Sequence, residues 1–175
     1  LVFSRASIGV VVGRDEYITP DQLIRDADTA MYRAKAGGKS AFVIFDDRMH
    51  QQAKQRFELE NDFRVAFERN EFLLHFQPIM HLQSGEVLGA EALVRWLHPT
   101  RGLLLPIDFL SIAEETGLIA ELDTWVMRNA AYYLSLWRKQ FPRHQELFMN
   151  VNVDEKQLTS AEIIEEVRMV LERFN

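Results

Sequence analysis

Two β-patterned segments, joined by a turn too short for any crossover, constrain this chain more than any other feature. Phe72 to Ile79 and Glu86 to Trp96 both read as strands, with Gln83-Ser84-Gly85 turning between them. A link that short makes the two strands antiparallel neighbours. Helix and strand patterns then alternate. A loop marked by Pro99, Gly102 and Pro106 leads to a helix expected over Ile107 to Thr116 and stopped by Gly117. A longer helix is expected from Leu122 to Gln140, ending before Pro142, and Glu146 to Val153 reads as a third strand. Thr159 and Glu162 form a capping box for a last helix, whose inner face carries Ile163, Ile164, Val167, Val170 and Leu171. The pattern predicts an α/β fold with parallel pairing after the opening hairpin, the first units of a larger barrel.

Upstream, residues 6–12 are rich in β-branched side chains and read as a strand. Thr19-Pro20-Asp21-Gln22 starts a helix: Thr19 caps it, Pro20 suits its first position and Gln22 completes a capping box. Leu23, Ile24, Ala27, Ala30, Met31 and Ala34 follow helical spacing, and Gly37-Gly38 supplies a left-handed stop. Ala41 to Phe45 is a short strand. Such a piece buries too little apolar surface to stand alone. A further helix, Arg48 to Asn70, is expected to turn Met49, Ala53, Phe57, Phe63, Ala66 and Phe67 to one side. Lys54/Glu58 and Arg56/Glu60 lie on its solvated surface at i,i+4. These patterns place one domain portion at 1–46, the start of a linker helix at 47–56 and a second domain portion at 57–175.

Composition removes several classes of function. The net charge is −6, with no stripe of Lys and Arg that could release counterions from a phosphate backbone. That argues against polymeric nucleic acid as a partner. The chain has no cysteine, so disulfides and thiolate metal sites are absent, compatible with a reducing, cytoplasmic setting. Its apolar runs are too short to cross a bilayer, and any membrane anchor of a longer parent is expected upstream. The chain opens on Leu1 and closes on Asn175 within an amphipathic segment, which suggests a piece of a longer protein.

Period-2 alternation sorts the strand residues by face. Val87, Gly89, Glu91, Leu93 and Arg95 share one face of the second strand, opposite Leu88, Ala90, Ala92, Val94 and Trp96. A carboxylate and a guanidinium opposite an all-apolar face require a reason. They lie about 13 Å apart along the strand at ~3.3 Å per residue, so they could serve two parts of an elongated anionic ligand. A buried ion-pair network in a barrel interior explains them equally well. On the first strand Leu73, His75, Gln77 and Ile79 share a face. Gln77 could hydrogen-bond a base or ribose, or be a structural amide, and His75 suits a core or rim position. On the third strand Phe148, Asn150, Asn152 and Asp154 alternate with apolar residues. Oxygen donors from Glu91 and Asn152, facing one cavity from neighbouring strands, suit a hard cation such as Mg²⁺ or Mn²⁺, although two ligands do not complete a site.

Gln77-Pro78-Ile79, then Gly89-Ala90-Glu91-Ala92-Leu93-Val94-Arg95-Trp96-Leu97-His98-Pro99, form a pattern that resembles the EAL family of cyclic di-GMP phosphodiesterases. The likeness continues through Arg101-Gly102-Leu103, Pro106, Phe109, Ala113-Glu114-Glu115-Thr116-Gly117-Leu118-Ile119, Trp125-Val126 and Val151-Asn152-Val153. The resemblance implies an incomplete TIM-type (β/α) barrel with an antiparallel first strand, and hydrolysis of cyclic di-GMP to linear pGpG. By position it makes Glu91 catalytic, Glu91 and Asn152 ligands of a two-metal Mg²⁺ or Mn²⁺ site, and Gln77, Leu93 and Arg95 substrate contacts. The remaining ligands are expected after Asn175, so the 175-residue piece itself is expected to be inactive and prone to associate. Asp154 stands where the family usually has Ser.

Ala6-Ser7-Ile8-Gly9, Ala27-Asp28-Thr29-Ala30-Met31-Tyr32-Arg33-Ala34-Lys35 and Gly38-Lys39 resemble the C-terminal end of a GGDEF (diguanylate cyclase) domain. That likeness implies GTP-phosphate contacts at Lys35 and Lys39, and GTP as a partner of an intact GGDEF half. Further expected partners are cyclic di-GMP and a second copy through the EAL domain. The alternative is a non-catalytic cyclic di-GMP receptor or regulatory interaction module.

Overall fold

The computed structural model describes residues 6–13, 19–36, 41–144, 146–154 and 161–174. The chain divides into two compact units, Leu1–Leu59 and Glu60–Asn175. In the first, β1 (Ile8–Val10) and β2 (Phe42–Ile44) pair in parallel, and α1 (Pro20–Ala36) lies between them in sequence. Gln22 Oε1 accepts the Thr19 N–H at 3.3 Å, the return half of the expected capping box. The Gly37-Gly38 stop lies outside the described residues. Ala30, Phe45 and Met49 form this unit's core, with Val11 and Val43 against it. Buried Asp26 is met by His50 Nε2 at 2.6 Å.

The helix α2 (Arg48–Ala66) departs from expectation. Met49 enters the first unit's core, Phe63 and Ala66 are fully buried in the second, and Phe57 between them is 63% exposed. A helix that supplies two separate cores has no single apolar face. It also ends at Ala66, short of Asn70, where φ is 54°; asparagine tolerates this left-handed conformation and stops the helical path.

In the second unit β3 (Phe72–Met80) and β4 (Val87–His98) pair antiparallel, as the short turn requires, from Phe72↔Trp96 to Met80↔Val87. The other edge of β4 is shared. Near its end it takes β5 (Gly102–Leu104) antiparallel, and nearer its start it takes β6 (Phe148–Val151) in parallel at Gly89–Ala92. The strand β5 falls where a loop was expected, because three residues are too few to display a period. The expected third strand contracts to the four residues of β6. Between Ala92 and Trp96, this edge of β4 has no strand partner among the described residues.

Three helices complete the unit: α3 (Pro106–Thr116), α4 (Ile119–Gln140) and α5 (Ala161–Phe174). Pro106 opens α3, Asp108 Oδ2 accepts the Leu105 N–H at 2.9 Å, and Gly117 closes the helix at φ 75°. The Thr159 cap expected for α5 lies outside the described residues. None of the helices among the described residues is long and apolar enough to cross a membrane.

The core of this unit is aromatic. Trp96, Phe63 and Phe109 are fully buried, with ring centroids 5.3 Å apart for Phe63–Trp96 and 5.9 Å for Trp96–Phe109. Trp96 Nε1 donates to Glu71 Oε2 at 2.9 Å, so the buried indole has its partner. Buried His98 directs Nε2 to Asp62 at 3.2 Å, while its Nδ1 accepts the N–H groups of Thr100 and Arg101. That arrangement holds the bend leading into β5. Ala90, Ala92, Trp96 and His98 thus commit one face of β4 to the core, and the alternation leaves Glu91, Leu93 and Arg95 on the other.

Candidate functional site

Three strands bring polar side chains onto this second face. Gln77 of β3 is the register partner of Glu91 on β4, and Asn150 of β6 is the partner of Glu91 on the opposite side. Paired residues share a face, so the row reads Gln77, Glu91, Asn150 across the sheet. Asn152 follows just beyond the end of β6. Its Nδ2 donates to Glu91 Oε1 at 2.7 Å. An ionised carboxylate can only accept, so the amide nitrogen must face it, leaving Asn152 Oδ1 and Glu91 Oε2 to other partners.

Close approach of β6 to β4 makes this contact, and Gly89 permits that approach. A Cβ on Gly89 would collide with the carbonyl oxygen of Phe148 and lie 2.9 Å from atoms of its ring. Leu93, two residues beyond Glu91, lines a cavity of about 200 Å³ with Asn152, Asp123, Asp154 and Glu114. The cavity lies beside the stretch of β4 without a strand partner. Arg95 is half-buried on the same face, and its hydrogen bond among the described residues runs from Nη1 to the Val94 carbonyl at 2.8 Å. The guanidinium therefore retains most of its fork of donors. His75 is exposed opposite Leu93, a rim position.

Asp123, in the first turns of α4, is 7% exposed. Its Oδ2 accepts the backbone N–H of Asp154 at 3.0 Å. Burial raises its carboxyl above the usual range, the Asp154 N–H pulls it back, and the Asp154 charge pushes it up again. Sequence reasoning passed over Asp123 and gave Asn150 no role. The available signal for Asp123 was an acidic residue inside the buried stripe Leu122, Val126, Met127 and Ala130. On α4 also, Arg128 makes a two-pronged contact with Glu166 of α5, at 2.6 and 2.8 Å, which raises the guanidinium pKa.

The structure therefore brings Glu91, Asn152, Gln77 and Leu93 together, with Arg95 further along the same face. Among the described residues no group of three or more His, Cys, Asp or Glu could hold a metal. Lys35 is exposed in the last turn of α1, within the first unit. Lys39 lies outside the described residues.

The sequence model of the EAL domain matches residues 60–175, well over half of the chain and all of the strands that carry this face. The chain belongs to the EAL domain family. It is 36% identical over 174 residues to the cyclic di-GMP phosphodiesterase PdeR of Escherichia coli, covering 99% of this chain and 26% of PdeR. It is also 36% identical over 170 residues to the bifunctional diguanylate cyclase/cyclic di-GMP phosphodiesterase MucR of Pseudomonas aeruginosa, covering 97% of this chain and 24% of MucR. Among solved structures it is similar to the MucR phosphodiesterase in complex with cyclic di-GMP. The TM-score is 0.63 at 38% identity, covering 67% of this chain and 47% of that one. The chain thus spans about a quarter of the length of these curated relatives. The EAL portion is similar to cyclic di-GMP phosphodiesterases, and its mixed α/β fold has EAL structures as neighbours.

Proposed function

We propose that residues 57–175 are the first part of an EAL barrel that, within its whole protein, hydrolyses one phosphodiester of cyclic di-GMP to give linear pGpG. The observation that carries this reading is the 2.7 Å bond between Asn152 Nδ2 and Glu91 Oε1. Glu91 of β4 meets Asn152, which follows the end of β6 and lines the cavity, and the pair keeps Oε2 and Oδ1 available. These hard donors suit Mg²⁺ or Mn²⁺, and would be two members of a ligand set that needs more carboxylates than the described residues supply. Glu91 and Asn152 would be among the residues holding a divalent cation, which when bound would supply water activation and offset of phosphate charge.

The chain's own residues bind and orient the ligand. Arg95 offers a planar fork of donors to a phosphate oxygen. Gln77, facing Glu91 across the β3–β4 pair, offers both donor and acceptor to ribose or base. Leu93 gives the ligand an apolar wall at the edge of the cavity. Within the first unit, residues 1–46 are read as the end of a GGDEF domain, with 47–56 opening the linker helix. In support, the likeness to PdeR and MucR runs through nearly the whole chain and so includes residues before 60. Lys35 and Lys39 are its candidate GTP-phosphate contacts.

The test uses the full-length protein with Mn²⁺ and cyclic di-GMP, following pGpG by chromatography. Glu91→Gln keeps an acceptor for Asn152 and removes the charge. It is expected to lower turnover about 10³-fold, equivalent to roughly 4 kcal/mol of transition-state stabilisation. Turnover within threefold of the wild type would remove Glu91 from the site. If the wild type binds cyclic di-GMP without producing pGpG, the receptor reading replaces the enzyme.

A further inference from the structure

The last ladder contact of β6 is Val151 with Ala92. Asn152 therefore leaves the sheet at the very residue whose side chain must meet Glu91. Among the described residues, no strand pairing holds the backbone there. Two residues on, the Asp154 N–H is bound by the Asp123 carboxylate at 3.0 Å. Asn152 and Val153 are thus suspended between two fixed points, the end of the β-ladder and the first turns of α4. An Asn side chain has only two rotatable bonds, so fixing its backbone on both sides largely fixes its amide.

We propose that Asp123 is a positioning residue: it ties the exit of β6 to α4 and so holds the Asn152 amide against Glu91. Three observations support this role. The carboxylate is 7% exposed, on a helix stripe that is otherwise apolar. It accepts from a backbone N–H, whose position follows the chain rather than a rotamer. It also lines the same cavity as Asn152 and Leu93, so the anchor and the anchored residue bound one space. Burying a carboxylate is costly where a neutral apolar residue would fill the helix stripe. The Asp154 N–H gives that carboxylate a hydrogen-bond donor at the point where β6 leaves its sheet.

The inference rests on the assignment of Glu91 and Asn152 to the site, and its test separates the two. In the full-length protein, Asp123→Ala, Asp123→Asn, Asn152→Ala and the Asp123→Ala/Asn152→Ala pair are compared. Hydrogen exchange gives a readout independent of activity. Asp123→Ala is expected to raise exchange at least tenfold in peptides covering residues 150–154, and Asp123→Asn, whose Oδ1 still accepts, leaves it near wild type. For Mn²⁺ binding by calorimetry, Asp123→Ala is expected to weaken affinity about tenfold in the wild-type background and not further in the Asn152→Ala background. Such non-additivity marks action through a shared partner, which a general loss of stability does not produce. If Asp123→Ala unfolds the protein, Asp123→Ser takes its place in the cycle.

Additive effects in the two backgrounds, or unchanged exchange at 150–154, would overturn the positioning role. If Asn152→Ala and Glu91→Gln both leave Mn²⁺ affinity and turnover intact, the site assignment itself fails. In that case, raised exchange in Asp123→Ala would mark a purely structural clasp, and the positioning proposal would fall with the site.

Discussion

Gly89→Ala is the most economical probe of how the fold makes this site. The added methyl would sit against the Phe148 carbonyl oxygen and 2.9 Å from its ring. A rotamer change can relieve the ring contact but not the backbone one. Ordinary carbon–oxygen contact needs somewhat over 3 Å, so β6 must retreat from β4 by several tenths of an ångström or more. Overpacking of this kind typically costs about 1–3 kcal/mol. The same retreat acts on the Asn152–Glu91 bond. Starting at 2.7 Å, a shift approaching 1 Å carries it past 3.5 Å, where it is no longer a hydrogen bond. All three tryptophans, Trp96, Trp125 and Trp137, lie in the second unit, so fluorescence during urea unfolding reports on that unit alone. Gly89→Ala is expected to lower its unfolding free energy by about 1–3 kcal/mol with the urea m-value unchanged. In the full-length protein, turnover is expected to fall with it. An unfolding midpoint equal to the wild type would refute the argument, because it would mean that the two strands are not held at the described separation.

Other outcomes follow from particular contacts. Glu71→Ala leaves the fully buried Trp96 indole N–H without its acceptor and is expected to cost about 1–3 kcal/mol, whereas Glu71→Gln, which still accepts, stays within about 0.5 kcal/mol by the same urea assay. Phe63→Ala removes a fully buried ring and is expected to cost about 3–5 kcal/mol. Phe57→Ser, at an exposed position of the same helix, is expected to change stability by less than about 0.5 kcal/mol. Asp123 carries a carboxyl raised by burial. The folded state then holds its proton more tightly than the unfolded chain, so its contribution to stability falls as pH rises from about 4, the unfolded value, through the folded pKa. Asp123→Asn is expected to flatten that decline and to be at least as stable as wild type at pH 7, measured by urea unfolding across pH 4–7. An unchanged pH slope would exclude Asp123 as its source.

Much of this protein can be read from local chemistry, because local chemistry causes it. A link as short as residues 81–86 leaves antiparallel pairing as the only option for β3 and β4. The alternation of Glu91, Leu93 and Arg95 against Ala90, Ala92 and Trp96 assigns faces before any strand is placed, since side chains alternate whatever the sheet does. The pairing of Gln77 with Glu91 belongs to the folded hairpin, whose register shifts between Ile79 and Met80. Tertiary structure decided the rest. Phe57 looked like a core residue until α2 was seen to divide its apolar side chains between two cores, and no helical period encodes which core a residue serves. Three residues of β5 became a strand only because the edge of β4 was open to them. The meeting of residues 91 and 152, sixty-one positions apart, and the anchoring of 154 on 123 depend on how closely β6 approaches β4. A glycine in one strand and a carbonyl in the other set that distance, and nothing local to either segment records it.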